Sequence, residues 1–369
     1  MKRLALFTVM LLTPLLLFSD SDEARDGIDA LIGTVDLSEW DEWLCETDSY
    51  DGMLPSEWLR TLSGLNGLPA ETVTLGAIGE KLLPTAKSAA GKMALLMGLA
   101  VLGAAVQGVS TASSIGEAAR TAFRITASGI VLVLVLREIR TATDAIASIE
   151  RSAEVIMPVL TGFLMLGGFE NTAGLLPISQ ALLSDVVLRV IGDVAVPASV
   201  LGGVLLTLDT DGTGRLCAIG RLLQRAGKWT LGAVCSLFML ITSIRSVAAV
   251  SADGLLLKTT RLAAGSIPAV GQLLSESVDT ALQCLKLVKN ALGLTGCIVI
   301  LSVAARPIVS VAVCRAAVRA SSLLSEPLAG KPYADLLRGM GDTLQLLLLS
   351  ELASAAMLLF LIAPALLPS

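Results

Sequence analysis

Eight apolar stretches of roughly membrane-crossing length, about 20 residues each, recur along the chain: Met93–Val109, Thr121–Leu136, Ala153–Phe169, Thr172–Val187, Leu188–Leu208, Trp229–Val250, Ala291–Val313 and Leu344–Leu367. Gly167, Gly168, Gly174, Pro177 and Pro197 interrupt the third to fifth, so two of these read as half-helices or amphipathic connectors. No run of alternating ten-residue strands appears, which argues against a membrane barrel. The pattern predicts an all-α polytopic membrane bundle with about six to eight crossings.

Ahead of the bundle the pattern changes twice. Residues 1–21, MKRLALFTVMLLTPLLLFSDS, place Lys2 and Arg3 before an apolar core and small residues Ser19 and Ser21 after it. That is the layout of a signal peptide, cleaved or kept as an anchor. Either form delivers the following chain outside the cytoplasm. Residues 22–91 form an acidic arm. In LSEWDEWLCE, Leu37, Trp40, Trp43 and Leu44 fall at helical spacing with Ser38 at the cap position, and in LPSEWLRTLSGL Ser56 caps a face of Trp58, Leu59 and Leu62. These short amphipathic helices cover the bundle, rest on the membrane surface, or dock a partner. The membrane domain is expected over 92–369.

Between the sixth and seventh apolar stretches lies DGLLLKTTRLAAGSIPAVGQLLSESVDT, residues 253–280. Asp253–Gly254 can turn the chain. Leu255, Leu256 and Leu262 form one side of a helix, Lys258 and Arg261 another, and Gly265 ends it. Pro268 and Gly271 make a second break. A further helix carries Glu276, Asp279, Lys286 and Lys289 and runs past Asn290. Residues 253–290 thus read as a broken, re-entrant or surface-lying helical hairpin. Broken backbone at membrane depth survives only inside protein or beside water, so this segment is expected to be the channel or assembly segment, with Asp253, Lys258, Asp279 and Lys289 forming fixed pairs or pore-mouth contacts.

Composition narrows the chemistry. The chain is 54% hydrophobic and 16% charged, with mean hydropathy +0.77, against about 25% charged in soluble domains. It has no histidine, which removes Ser-His-Asp triads, Cys-His pairs and His-liganded metals. None of its six cysteines stands at CxxC spacing, and five lie in or beside apolar runs, where a small polarizable side chain packs. AAGKMA and RAGKWT lack the Gly and Ser/Thr of a phosphate loop, and LDTDGTG lacks the twelfth-position acid of a calcium loop. No enzyme activity, cofactor, metal or nucleic-acid site is expected.

Charge then orients the bundle. Residues 1–91 hold 6 Lys/Arg and 15 Asp/Glu. Arg215, Arg221, Arg225 and Lys228 mark a loop at 214–228, and Arg315, Arg319, Lys331 and Arg338 mark another at 314–340. Both are expected in the cytoplasm, with 22–91 and 253–290 on the far side. Arg137, Arg140 and Arg151, in an expected outer loop at 137–151, count against that scheme. Within the spans stand Arg189, Asp193, Arg245, Arg306 and Glu351. Charges there are costly unless paired or hydrated. Arg189 and Asp193, four apart, can pair on one helix face, Arg245 near a span end can snorkel, and Arg306 sits beside the helix-kinking Pro307. They line a polar route, bind a partner's helices, or form internal pairs.

The stretch from Trp229 to about Gly296 strongly resembles the stage III sporulation protein AE family. The family's DG-x-x-L-[KR]-T-x-[KR] appears at Asp253–Arg261, P-x-V-G at Pro268–Gly271, L-S-[DE]-x-x-D-T at Leu274–Thr280 and L-x-K-N-[AS]-x-G at Leu287–Gly293. The likeness extends more loosely over almost the whole chain. It implies a multi-pass protein of the mother-cell membrane around the developing spore, a subunit of the channel or secretion-like complex joining mother cell and forespore. Its partners would be the other membrane subunits of that complex, the lipid bilayer and further copies of itself. Three roles compete: part of the pore or export gate, a non-conducting scaffold that assembles the other subunits, or an independent small-solute permease. The acidic arm with its Trp pairs and Arg306 inside a span depart from the family pattern.

Overall fold

The computed structural model describes residues 37–46, 54–57, 75–109, 114–166, 169–208, 215–265 and 271–366, and every regular element among them is helical. In chain order these are α1 (Ser38–Glu46), α2 (Leu75–Val109), α3 (Ser114–Leu166), α4 (Glu170–Ala181), α5 (Val196–Leu208), α6 (Arg215–Gly265) and α7 (Gly271–Leu366). Two π-helical segments, Leu182–Leu188 and Ile191–Ala195, join α4 to α5. The expected signal peptide at 1–21 lies outside the described residues, as do Trp58 and Pro268.

Helices α3, α5, α6 and α7 run through places where breaks were expected. Residues 137–151 are expected as a loop, yet α3 is one helix of 53 residues, about 80 Å long. Its buried positions explain this: Val131, Val135, Glu138, Ala142, Ile146, Ile149, Ala153, Ile156 and Leu160 recur every three or four residues straight through the charged stretch. Arg137, Arg140 and Arg151 occupy the exposed face. Charge density there masks an unbroken core stripe made mostly of Val, Ile and Ala.

The same holds from 170 to 208, expected as two spans. Backbone angles stay helical through Leu182, Arg189 and Val196. Pro197 has no N–H to donate, and its ring crowds the carbonyl one turn back. The π turn at Ile191–Ala195 widens the helix just ahead of it and keeps the run continuous. Helix α6 likewise passes through Asp253–Gly254 without a turn and ends at Gly265, and from Arg215 onward the expected basic loop at 214–228 is its first turns.

Helix α7 reverses direction once. Gly330 has φ 78° and ψ 170°, a combination open to glycine alone. On a straight helix Arg319 and Asp342 would stand about 35 Å apart; instead Nη1 of Arg319 lies 3.5 Å from Oδ1 of Asp342. Arg338 also reaches back to Glu326. The expected loop at 314–340 is therefore the tip of an antiparallel helical hairpin, with a first limb at 271–329 and a second at 331–366. Far from lying loose, the tip packs into the bundle. Tyr333 donates a hydrogen bond to the Leu96 carbonyl at 3.0 Å, and its ring meets Phe123 at 6.0 Å between centroids.

The arm docks on this bundle. Leu37, Trp40, Trp43 and Leu44 of α1 are buried, and the Trp40 ring approaches Gly296 of α7 beside Ile156 and Ile362. Ser56 is not a cap: the helical turn starts at Pro55, a residue suited to a first helical position. The Glu57 carboxylate accepts the Leu54 N–H, and Asp41 of α1 accepts the Ser56 N–H. Helix α2 already begins at Leu75, so the boundary placed at 91/92 falls inside a helix.

Four described helical runs are long and apolar enough to cross a membrane: Ala118–Met165, Glu170–Leu206, Leu216–Arg245 and Val288–Ile362, the last containing the hairpin. Ala90–Val106 is a shorter apolar helix.

Candidate functional site

Three polar clusters lie inside these apolar helices. The first ties the 253–290 segment to the rest of the bundle. The first amide N–H groups of any helix lack partners within the helix. At the start of α4 the capping position is Phe169, whose side chain cannot accept, and no local cap forms. Asp253 of α6 fills that role from 82 residues away. Its Oδ1 accepts the Asn171 backbone N–H at 3.0 Å and the Asn171 side-chain amide at 3.0 Å. Its Oδ2 accepts the Thr172 N–H at 2.8 Å and the Thr172 hydroxyl at 2.5 Å. The carboxylate has no exposure to solvent, yet all four donors meet it at the positive end of a helix dipole. On the other side of the same turn, Nζ of the buried Lys289 lies 4.4 Å from the centre of the Phe169 ring, a cation–π contact.

Of the segment's expected residues, Asp253 and Lys289 thus converge on Phe169–Thr172, where α4 begins. Asn290 is half-buried beside Lys289. Gly271 opens α7. The backbones of Gly254, Lys258, Arg261, Glu276 and Asp279 are helical, while their side chains lie outside the described residues.

The second cluster was not foreseen. Lys92 of α2 forms an ion pair with Glu138 of α3, whose side chain is 3% exposed. The Ser310 hydroxyl of α7 donates to the second Glu138 oxygen at 3.4 Å. Glu351, on the second limb of α7, is fully buried, and neither of its oxygens has a hydrogen-bond partner among the described residues. It lies within electrostatic reach of Glu138. Glu138 falls within the expected loop at 137–151; its place in the three- and four-residue stripe of α3 is the signal that marks it as buried.

Glu351 is the one buried member of the expected intramembrane charges. Arg189, Asp193, Arg245 and Arg306 are exposed. Arg189 pairs with Asp185 at 3.5 Å, not with Asp193: the π turns change the angular spacing that an ordinary helix would give to residues four apart. Helix α7 keeps helical angles at Pro307 and departs from them at Gly330.

The third cluster holds α5, α6 and α7 together. A Cβ on Gly202 would come 2.6 Å from the Gly220 carbonyl oxygen, so these backbones meet as only glycine permits. Beside them the Gln224 amide donates to the Gly339 carbonyl and the Thr343 hydroxyl, both at 3.0 Å. Small residues with a buried amide are a common adhesive between membrane helices. Gln224 is therefore a packed position, not one facing solvent from a loop. The five described cysteines are free thiols, with Cys297 and Cys314 buried and Cys45 exposed.

Comparison with known proteins places this architecture. A family model described as Stage III sporulation protein AE matches residues 71–367. A curated relative, Stage III sporulation protein AE of Bacillus subtilis (strain 168), is 24% identical over 194 residues, which is 52% of this chain. The match spans 48% of that relative, so about half its length is covered. No solved structure matches the chain.

Proposed function

Because the chain belongs to the stage III sporulation protein AE family and so serves sporulation, we propose that it is a membrane subunit of the mother cell–forespore channel complex and forms part of its pore or export gate. The observation that supports this reading is the second cluster. Lys92, Glu138 and Ser310 interact inside helices whose outer faces are apolar, and Glu351, within electrostatic reach of Glu138, has no hydrogen-bond partner among the described residues. Ionisable groups inside a membrane bundle mark ion and substrate pathways.

The merged helices also suit the proposed topology. We read six crossings: α2, α3, the α4–α5 run, α6 and the two limbs of α7. Three of them precede residues 214–228, where the apolar stretches alone suggested five. The parity is unchanged, so 214–228 and 314–340 share the cytoplasmic side, and 22–91 and 253–290 share the other. Arg137, Arg140 and Arg151 now lie within a helix, and the objection they raised as loop charges disappears.

The test is ion flux through the purified full-length protein in liposomes. Flux that falls on Glu351→Gln or Lys92→Met substitution is the expected result. Intact incorporation with no flux would sink the conduit and leave the scaffold, whose basis is the set of outward apolar side chains such as Val133, Leu237 and Ile244.

A further inference from the structure

Helix α6 has two faces, centred about 120° apart, with different work. Gly220, Gln224 and Gly227 pack against α5 and α7. The other face carries Arg221, Arg225, Lys228, Trp229, Gly232 and Ser236, spaced so that all six fall within about 100° of arc. Arg221 and Arg225 are exposed and Lys228 is half-buried. None of the three has an ion-pair partner among the described residues. Trp229 is 75% exposed. Beside it opens a groove of ≈ 430 Å³ lined by Lys228, Trp229, Gly232, Ala233 and Ser236, and a side chain added at Gly232 would meet nothing within 4 Å.

Along the helix the face goes from cations to an aromatic belt residue to a shallow apolar groove, at the start of the apolar stretch Trp229–Val250. We propose that this face is a binding site for one anionic phospholipid. The phosphate lies against Arg221, Arg225 and Lys228, the indole of Trp229 flanks the glycerol level, and an acyl chain fills the groove over Gly232 and Ser236. Charge complementarity selects this occupant. A second membrane helix packed here would strip water from three unpaired cations without offering them counter-charge, whereas an anionic headgroup leaves them hydrated and neutralised. Trp beside Lys at a span end is the usual arrangement at the headgroup layer. The proposal does not depend on the conduit reading.

The test is native mass spectrometry of the full-length protein in mild detergent, titrated separately with phosphatidylglycerol and phosphatidylcholine. One phosphatidylglycerol should be retained in preference. Replacing Arg221, Arg225 and Lys228 together by Gln should weaken its binding about 100-fold, from roughly fivefold per cation near a membrane surface. Gly232→Leu, which fills the groove and leaves the charges, should weaken it as well. Unchanged melting temperatures show that both variants are folded. Millimolar inorganic phosphate should not displace the lipid, because the groove contributes to the affinity. Equal retention of the two lipids, or wild-type binding by the triple variant, would overturn the proposal. So would a disulfide-linked dimer through Ser236→Cys in native membranes, which would assign the groove to a second copy.

Discussion

Asp253 and Glu351 are both carboxylates with no solvent exposure, and their surroundings are opposite. Asp253 accepts four hydrogen bonds at a helix N-terminus; Glu351 accepts none from the described residues. A buried charge that is fully met by donors holds structure together. One left without donors destabilises the fold and calls for another explanation, such as a transported ion. Glu138 stands between them, matched by one cation and one hydroxyl. The contrast separates residues of the same type into architecture and candidate function.

The largest effect on stability should come from Asp253→Ala. It leaves the buried Thr172 amide and hydroxyl, and the partly buried amides of Asn171, without their acceptor, at a cost of about 3 kcal/mol. Thermal unfolding in detergent, followed by tryptophan fluorescence, measures it, and Asn in the same place should recover part of the loss. Wild-type melting of the Ala variant would break the comparison at its stronger end. Next is Lys92→Met, which strands Glu138 and should cost about 2 kcal/mol. Adding Glu138→Gln should restore most of that, and a double variant no better than the single one would show that the pair is not coupled.

These first two residues differ in how visible they were. Asp253 was legible as important because a charge followed by glycine stood between two apolar runs, but its partner was not. Nothing in Phe169–Thr172 announces a cap supplied 82 residues later. Glu138 was hidden for the opposite reason. Its neighbours Arg137 and Arg140 looked like loop charges, although Ala142, Ile146 and Ile149 continued the helical stripe. The all-helical membrane class could be read from apolar length alone. The merging of helices could not, because Pro177 and Pro197 normally end helices; here Pro177 sits inside α4 and the π turn at Ile191–Ala195 absorbs Pro197. The reversal at Gly330 was equally obscure among four basic residues that suggested an open loop.

A smaller change is expected from Gln224→Leu, which removes a buried amide from the α5–α6–α7 crossing and should cost about 1 kcal/mol. Unfolding in detergent tests it, and a loss as large as that of Asp253→Ala would make the crossing the main anchor. Glu351→Gln should have the least effect on melting, under about 1 kcal/mol, since no hydrogen bond is lost. Its effect should appear in forespore gene expression and spore yield at normal membrane abundance. If that variant melted as early as Asp253→Ala, Glu351 would be structural and the contrast between the carboxylates would collapse.

The long-range cap on α4 also has a consequence in time. The start of α4 leaves the ribosome well before Asp253 is synthesised. At about 5–20 residues per second, the 82 residues between Asn171 and Asp253 take roughly 4–16 s. Through that interval the Asn171 and Thr172 amides have no Asp253 to accept them and depend on water or insertion machinery. The turn at Phe169 is thus completed only when the last third of α6 arrives, and a ribosome stalled just before Asp253 would hold a bundle whose first helices are made but not yet fastened.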